Sequence, residues 1–484
     1  MEPLKTELLV LGAGPGGYTA AFYAADKGKK VVLVDRDKRL GGVCLNRGCI
    51  PSKALLHATQ LLRQAAHARA HGIHFNPPEV KLDRLRAWKE SVIDKLSQGI
   101  STLAQKRNVT VLCGWGHFED SRTLRVETRE GQKFVTYDKA IIAVGSKPAM
   151  PSAFDLGNRR IMTSDEALDI EEVPEKLLIV GGGYIGMELG TVYATLGSNV
   201  VLVEALGALL LGADADLVRP VARYAEQAFR EVRLNTKVVK MATSGRQIKV
   251  TMEQQKQKLE ELYDRVLVSV GRVPNCANLG LENTKVARDE KGFIKVNSQL
   301  QTSDPAIFAI GDVVGGALLA HKAFKEARVA VDSIIGEENS MDHPVIPAVV
   351  FTDPEVAWCG LTEAEAKAKG IRVEVARFPW AASGRALGMD RPDGLTKLII
   401  DPDTERVLGV GIVGAGAGEL ISEGALAVEM GATAQDIGET IHPHPTLSET
   451  LKEAAEVFYG SSTHTLARKR KPAAPAEAEP ERQS

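Results

Sequence analysis

Residues 7–35, ELLVLGAGPGGYTAAFYAADKGKKVVLVD, read as a buried strand, a glycine turn, a helix of small residues and a second strand. That order is a βαβ unit, because the apolar runs are short and continuous, as in parallel strands covered on both faces. Gly12, Gly14 and Gly17 fall where the strand gives way to the helix. There they permit a sharp turn and bring helix N-terminal amides up to a pyrophosphate. Asp35 closes the second strand, where a carboxylate accepts hydrogen bonds from the ribose hydroxyls of an adenosine. With strand, helix and acid in place, nucleotide binding is the expected reading. An ordinary tight turn and a solvated strand-end acid are the alternatives it displaces.

The pattern occurs again. Residues 176–204, KLLIVGGGYIGMELGTVYATLGSNVVLVE, repeat the unit with Gly181, Gly183 and Gly186 in the turn and Glu204 at the end of the strand. The chain therefore carries a diverged internal duplication and two expected nucleotide-binding domains. A carboxylate at 204 repels the 2′-phosphate of NADP and suits the free hydroxyl of NAD, and Ala205, Leu206, Gly207 and Ala208 bring no arginine. NAD is the expected second nucleotide.

Between the two units lies GGVCLNRGCIPSK, residues 41–53. Two cysteines at this spacing also fit a metal half-site or a structural bridge, but two thiolates fall short of the four ligands of a closed zinc site. Pro51 marks a helix start, so Cys49 is expected near a helix N-terminus, where the macrodipole stabilises a thiolate. Cys49 is then the candidate for a thiolate facing a cofactor, and Cys44 for the exposed sulfur that exchanges with substrate. Lys53 lies one helical turn beyond Cys49, and Glu188 follows Gly186 by two residues. On the residues alone a surface lysine and a solvated first-turn acid are the favoured readings of these two. Arg47 fits a thiolate neighbour or a solvated cation, and Cys113, Cys276 and Cys359 read as incidental thiols.

Further out, residues 52–106 carry apolar residues at helical spacing (Leu55, Leu61, Leu62, then Leu85, Trp88, Val92, Leu96), broken at Asn76-Pro77-Pro78, which predicts a helical pair. Beyond Pro347, alternation in VVFTDPEVAWCGL, RVEVARFPW and TKLIIDP predicts an antiparallel sheet with helices. The fold class expected is α/β, with two Rossmann-like domains, a central domain and a C-terminal α+β dimerisation domain. The boundaries expected are 1–149 for the first nucleotide domain with the cysteine loop, 150–276 for the second, 277–345 for the central domain and 346–466 for the last. Residues 467–484, rich in charge, Pro and Ala, read as a disordered tail, and its basic run Arg468 to Lys471 reads as solvated.

Late in the chain, HPHPTLSE (442–449) sets His444 five residues before Glu449. Pro445 bars a regular helix at the start, but a turn into a helix brings Glu449 back to the imidazole. Such a pair suits a base, because the carboxylate fixes the tautomer and steadies the imidazolium. A metal-binding His pair or a polar loop is the alternative; His442 receives no role, and no metal site is expected.

Composition bounds the rest. The chain has 484 residues, with 60 Lys and Arg against 62 Asp and Glu, so no cationic field favours nucleic acid or anionic lipid. Five cysteines do not make a secreted disulfide framework, no signal peptide is evident, and no apolar run reaches the roughly 18 residues of a membrane span. A soluble cytoplasmic protein is expected.

Taken together, GAGPGGY, GGVCLNRGCIPSK, GGGYIGMELG, GRVPN (271–275), AIGDV (309–313), LLAHKA (318–323), FTDPEVAWCGLTE (351–363) and HPHPTLSE resemble the flavoprotein disulfide reductases over all but the tail. Within that family the likeness is greatest to the branch that oxidises dihydrolipoamide. The resemblance implies FAD at the first fingerprint, one per subunit, with Asp312 on the ribityl chain and with Lys53, Gly145 and Ala320 in the same set. It implies NAD at the second fingerprint, with Gly271 beside Gly181, Gly183, Gly186 and Glu204. It further implies a Cys44–Cys49 disulfide, Lys53 paired with Glu188 beside the reactive flavin nitrogen, and a homodimer in which His444 of one subunit faces the dithiol of the other. The implied reaction is oxidation of dihydrolipoamide with reduction of NAD⁺. The implied partners are lipoyl domains of 2-oxo acid dehydrogenase or glycine-cleavage complexes. Val43 stands where the family usually has Thr, and Asp35 where Glu is usual. A glutathione-type reductase calls for basic residues near 204, and mercuric-type and high-molecular-weight thioredoxin reductases for a C-terminal cysteine pair; none is present. A flavin-binding structural subunit is the reading that loss of Cys44, Cys49, His444 or Glu449 would favour.

Overall fold

The computed structural model describes residues 2–342 and 344–466. The tail expected to be disordered, 467–484, lies outside them. The described residues form two compact units, one within 2–211 and 222–346, the other within 212–221 and 347–466.

The first unit is built on two parallel sheets. In the first, Leu4–Leu11 lies between Val31–Asp35 and Gly131–Ile142, and Thr110–Cys113 adds beyond Val31–Asp35. Leu8, Leu9, Val10, Val31, Val32 and Leu33 are all buried, as helices and strands cover both faces. Trp115–Asp120 and Thr123–Thr128 extend this sheet antiparallel, and Ile307–Ala309 joins it parallel to Gly131–Ile142. Helix Ala320–Ile335, from the stretch expected to be central, packs in the same core as the fingerprint helix Pro15–Asp26. Tyr23 and Asp332 tie these helices through a 2.7 Å hydrogen bond.

The second sheet repeats the order. Lys176–Val180 lies between Asn199–Val203 and Arg265–Val268, with Glu231–Arg233 beyond one and Ile161–Met162 beyond the other, all parallel. A three-stranded antiparallel sheet, Thr236–Ser244 to Gln257–Tyr263, is inserted, and a short ladder pairs Ser146–Pro148 with Arg272–Pro274.

Helices Cys49–His67 and Leu82–Lys106 form the pair read from the sequence. The buried face of the second helix differs, however, from the apolar stripe. Lys89, Ile93, Ser97, Ile100 and Ala104 point inward, whereas Trp88 and Leu96 are about two-fifths exposed. Lys89 is accommodated because its ammonium donates to the Leu168 carbonyl at 2.9 Å and pairs with Glu90 at 3.2 Å.

In the second unit, a five-stranded antiparallel sheet runs in the order Ala348–Val350, Glu355–Gly360, Val407–Gly414, Leu395–Ile400, Glu374–Pro379. Helices Ala417–Met430, Ala434–Glu439 and Glu449–Tyr459 accompany it. Trp380 is fully buried, its indole N–H donating to Thr396 at 2.9 Å. Lys397, also fully buried, lies 2.6 Å from Asp214, 2.8 Å from Asp216 and 2.7 Å from Glu363. The three carboxylates converge closely enough to hold a metal ion, but the ammonium supplies the positive charge between them. This cluster ties residues 212–221 to the sheet.

Candidate active site

The first fingerprint owes its shape to what its glycines touch. Gly12 has φ +105°, and a Cβ there would lie 2.4 Å from the Ala143 carbonyl oxygen; a Cβ on Gly17 would lie 1.7 Å from the Gly12 oxygen. These two are demanded by packing. Gly14 is different: its backbone is extended (φ −70°, ψ −176°), which any residue adopts, and a Cβ would approach only the Gly42 Cα at 3.9 Å. Nothing in the chain requires glycine there, so the bare backbone suits close approach by a ligand at the N-terminus of Pro15–Asp26. Asp35 accepts from the N–H groups of Ala13 at 2.5 Å and Asp37 at 2.8 Å, which holds the turn against the strand end. Burial pushes the Asp35 carboxyl pKa up against these donors.

The second fingerprint is its near copy. Gly181 has φ +111° with the Ser269 carbonyl 2.4 Å from its would-be Cβ, and a Cβ on Gly186 would lie 2.1 Å from the Gly181 oxygen. Gly183 is extended (φ −74°, ψ −178°) with open space around it. Glu204 accepts from Gly182 at 2.7 Å and Leu206 at 2.9 Å. Gly271, with φ +128°, begins the turn into Arg272–Pro274.

One cavity brings most of the expected flavin set together, while Gly17, packed beneath the Gly12 carbonyl, stays out of its lining. Gly12, Gly14, Asp35, Gly145, Asp312 and Ala320 line it, and so do Cys44, Cys49, Lys53 and Glu188. The cavity runs from Asp35 past Gly14 to the cysteines, an elongated cleft rather than a round pocket. The cysteine loop is docked directly on the fingerprint. Gly41 donates to the Ala13 carbonyl at 2.8 Å, and a Cβ on Gly42 would lie 2.5 Å from the Gly14 Cα.

Cys44 lies in helix Gly42–Arg47, and Cys49 is the first residue of Cys49–His67, with Pro51 in its first turn. Both are thiols, and they are hydrogen-bonded to each other. That bond lowers the Cys49 pKa to about 7; burial opposes the shift, and the Lys53 ammonium assists it. The same bond, with burial, pushes the Cys44 pKa far up. Exposure runs against the order expected: Cys49 is the exposed cysteine and Cys44 is half-buried. Both line the same cavity, so the accessible surface of Cys49 faces a protein-walled cleft.

Lys53 reaches the buried Glu188 at 2.8 and 3.1 Å. Arg47 is turned to Asp37 at 2.9 Å and Asp165 at 3.6 Å. Two residues that the sequence reading passed over complete this wall. Arg272 donates to the Ser146 side chain at 2.7 Å and to its carbonyl at 2.9 Å, while the Ser146 hydroxyl donates to Asp312. Arg272 stands in GRVPN and Ser146 follows Gly145, but only the pairing of Ser146–Pro148 with Arg272–Pro274 joins them.

In the second unit, His444 Nδ1 and Glu449 Oε1 are 2.9 Å apart, and the Thr446 N–H donates to the other Glu449 oxygen at 2.7 Å. Burial works against the Glu449 charge, but the Thr446 N–H and the imidazole outweigh it and hold its pKa below the usual carboxylate range. The His444 side chain is three-quarters exposed, its partner carboxylate much less so. His442, unassigned from sequence, is bound to Glu423 at 2.7 Å and to the Thr440 carbonyl at 2.9 Å, so its ring is fixed within the loop.

The family model described as pyridine nucleotide-disulphide oxidoreductase matches residues 6–327, and that of its dimerisation domain matches residues 346–455. The chain belongs to the pyridine nucleotide-disulphide oxidoreductases. Among relatives in this family, dihydrolipoyl dehydrogenase of Vibrio parahaemolyticus is 48% identical over 463 residues, covering 96% of this chain and 97% of that protein. LpdA from Mycobacterium tuberculosis superposes with a TM-score of 0.87 at 27% identity, over 94% of this chain and 99% of the other. The HOCl-induced flavoprotein disulfide reductase RclA from Escherichia coli, in its Cu(II) complex, gives 0.84 at 28% identity, over 94% and 100%. The two Rossmann-like folds and the antiparallel C-terminal sheet expected from sequence are those of this oxidoreductase family. Among the described residues, no helix is long and apolar enough to cross a membrane.

Proposed function

We propose that the chain oxidises dihydrolipoamide to lipoamide and reduces NAD⁺ to NADH. The observation that carries this reading is the Cys44–Cys49 thiol pair set with Lys53 and Glu188 in the cavity that the first fingerprint opens. Near full-length likeness to relatives named dihydrolipoyl dehydrogenase supports the substrate.

FAD and NAD are the cofactors. FAD would be held by Gly12, Gly14, Gly17, Asp35, Lys53, Gly145, Asp312 and Ala320, and NAD by Gly181, Gly183, Gly186, Glu204 and Gly271. When bound, FAD relays an electron pair from the dithiol to NAD⁺. The residues of the chain handle thiols and protons. His444, its tautomer fixed by Glu449, takes a proton from a substrate thiol. The resulting thiolate attacks Cys44 of a Cys44–Cys49 disulfide and releases Cys49 as thiolate. The second substrate sulfur then displaces Cys44, closing lipoamide and leaving the pair reduced, with the proton on Cys44. Lys53 stabilises the Cys49 charge and is itself held by Glu188.

The family's dimerisation domain makes a homodimer the functional unit, and His444 serves the dithiol of the partner subunit. Lipoyl domains of a 2-oxo acid dehydrogenase or glycine-cleavage assembly present the substrate, and the setting is cytoplasmic. The four domains run 1–149, 150–276, 277–345 and 346–466. Purified protein given dihydrolipoamide with NAD⁺ or NADP⁺ tests the reading, followed as nicotinamide reduction. NADH formation with NAD⁺ preferred is expected. No NADH, together with rapid reduction of glutathione disulfide by NADPH, would overturn it.

A further inference from the structure

Beneath the turn that carries Asp312 lies a carboxylate outside the cavity lining. The Gly311 N–H donates to Oε2 of Glu326 at 2.6 Å. Glu326 is 2% exposed, on helix Ala320–Ile335, and its other oxygen lies 2.6 Å from the ammonium of Lys322 one turn earlier, itself 8% exposed. The same helix begins at the cavity with Ala320 and packs on the fingerprint helix, where a Cβ on Gly16 would lie 3.2 Å from that of Ala323.

A buried ion pair is a poor way to fill space, since apolar residues of similar volume pack there without the cost of dehydrating two charges. What an apolar residue cannot do is accept the Gly311 N–H. Asp312 is held from the other side by the Ser146 hydroxyl, which is anchored in turn by Arg272. The side chain of Asp312 is therefore aimed by Ser146, and its main chain is pinned, one residue upstream, by Glu326.

We infer that Glu326 is a positioning residue for Asp312, with Lys322 compensating its buried charge, and that flavin retention depends on it. This rests on Asp312 binding the flavin. The test is flavin release from the full-length holoenzyme, followed by the rise in free FAD fluorescence, in Glu326→Leu, Glu326→Gln, Asp312→Asn and the double variant E326L/D312N. Far-UV circular dichroism on each variant reports folding separately.

The expected result is a rise in the FAD dissociation constant of about tenfold or more in E326L, the size of a lost charge-assisted hydrogen bond. E326Q, whose amide oxygen still accepts the Gly311 N–H, should recover most of that. Adding E326L to D312N should cost nothing further, because both act through one contact. If D312N loses flavin while E326L does not, or if the two effects add in full, the inference fails and Asp312 keeps its role. If D312N retains flavin like the parent protein, the Asp312 reading fails and takes the inference with it. A folded E326Q as weak as E326L would also sink it, since the Gly311 bond would then not be what matters.

Discussion

The two glycine fingerprints are near copies in backbone and opposites in what is laid on them. Each has a positive-φ glycine under a neighbouring carbonyl, an extended glycine with room beside it, and an acid spanning two backbone N–H groups. Each also accepts a loop on the residue after its first glycine. Ala13 takes the Gly41 N–H at 2.8 Å, and Gly182 takes the Leu210 N–H at 3.0 Å. In the first copy the docked loop runs on into Cys44 and Cys49. In the second, Leu209 and Leu210 pack as buried apolar residues, and the chain leaves for the other unit. On the proposed reading the strand, turn, helix and acid make a nucleotide site, and the loop after the acid decides whether chemistry is attached.

The sharpest way to break this contrast is Cys49→Ser. It should leave the flavin bound and reduce dihydrolipoamide oxidation by about a thousandfold or more, measured as kcat. Substantial residual turnover would place the redox step outside the loop. Next in size is His444→Gln, since neither fingerprint supplies a base; a fall of about 10²–10⁴ in kcat/KM is expected, and unchanged turnover would remove His444 from the reaction.

The paired substitutions Gly14→Val and Gly183→Val compare the copies directly. The first should strip flavin from the purified protein, while the second should raise KM for NAD⁺ by about tenfold or more and spare the flavin, as a side chain enters one ligand's path only. If both lose flavin, the copies do not divide the two nucleotides. Lys53→Met probes the electrostatics of the loop. Cys49 sits near 7, below an ordinary thiol, so its thiolate is present above that pH and is protonated as pH falls through it. The alkylation rate of reduced enzyme should therefore rise around pH 7 in the parent and at higher pH in the variant; a profile that does not move would discount Lys53. Glu204→Ala should have the smallest effect. A few-fold rise in KM for NAD⁺ and a weaker preference over NADP⁺ are expected, consistent with loss of a hydrogen-bonded carboxylate worth about 0.5–1 kcal/mol.

The duplicated fingerprints were legible because strand, turn, helix and acid follow one another within about thirty residues, and their geometry is set by local sterics. The His444–Glu449 pair was legible for the same reason, its members being five positions apart. Arg272, Ser146 and Asp312 were not joined by any reading of motifs, because 126 and 166 residues separate the bonded partners and only strand pairing brings them together. The inward face of helix Leu82–Lys106 was less legible. Trp88 and Leu96 of its apolar pattern are exposed, while the buried face accepts Ser97 and Lys89, whose ammonium finds the Leu168 carbonyl in the interior.

Lys397 and its three carboxylates bear on how this protein can be taken apart. Two of those acids, Asp214 and Asp216, belong to a ten-residue excursion far upstream of the sheet that holds the lysine. A fragment beginning at residue 347 would keep Lys397 and Glu363 but lose two of the three carboxylates around the buried ammonium. The acidic excursion therefore belongs to the C-terminal unit, and a transfer of that unit onto another chain keeps the buried cluster whole only when the distant segment travels with it.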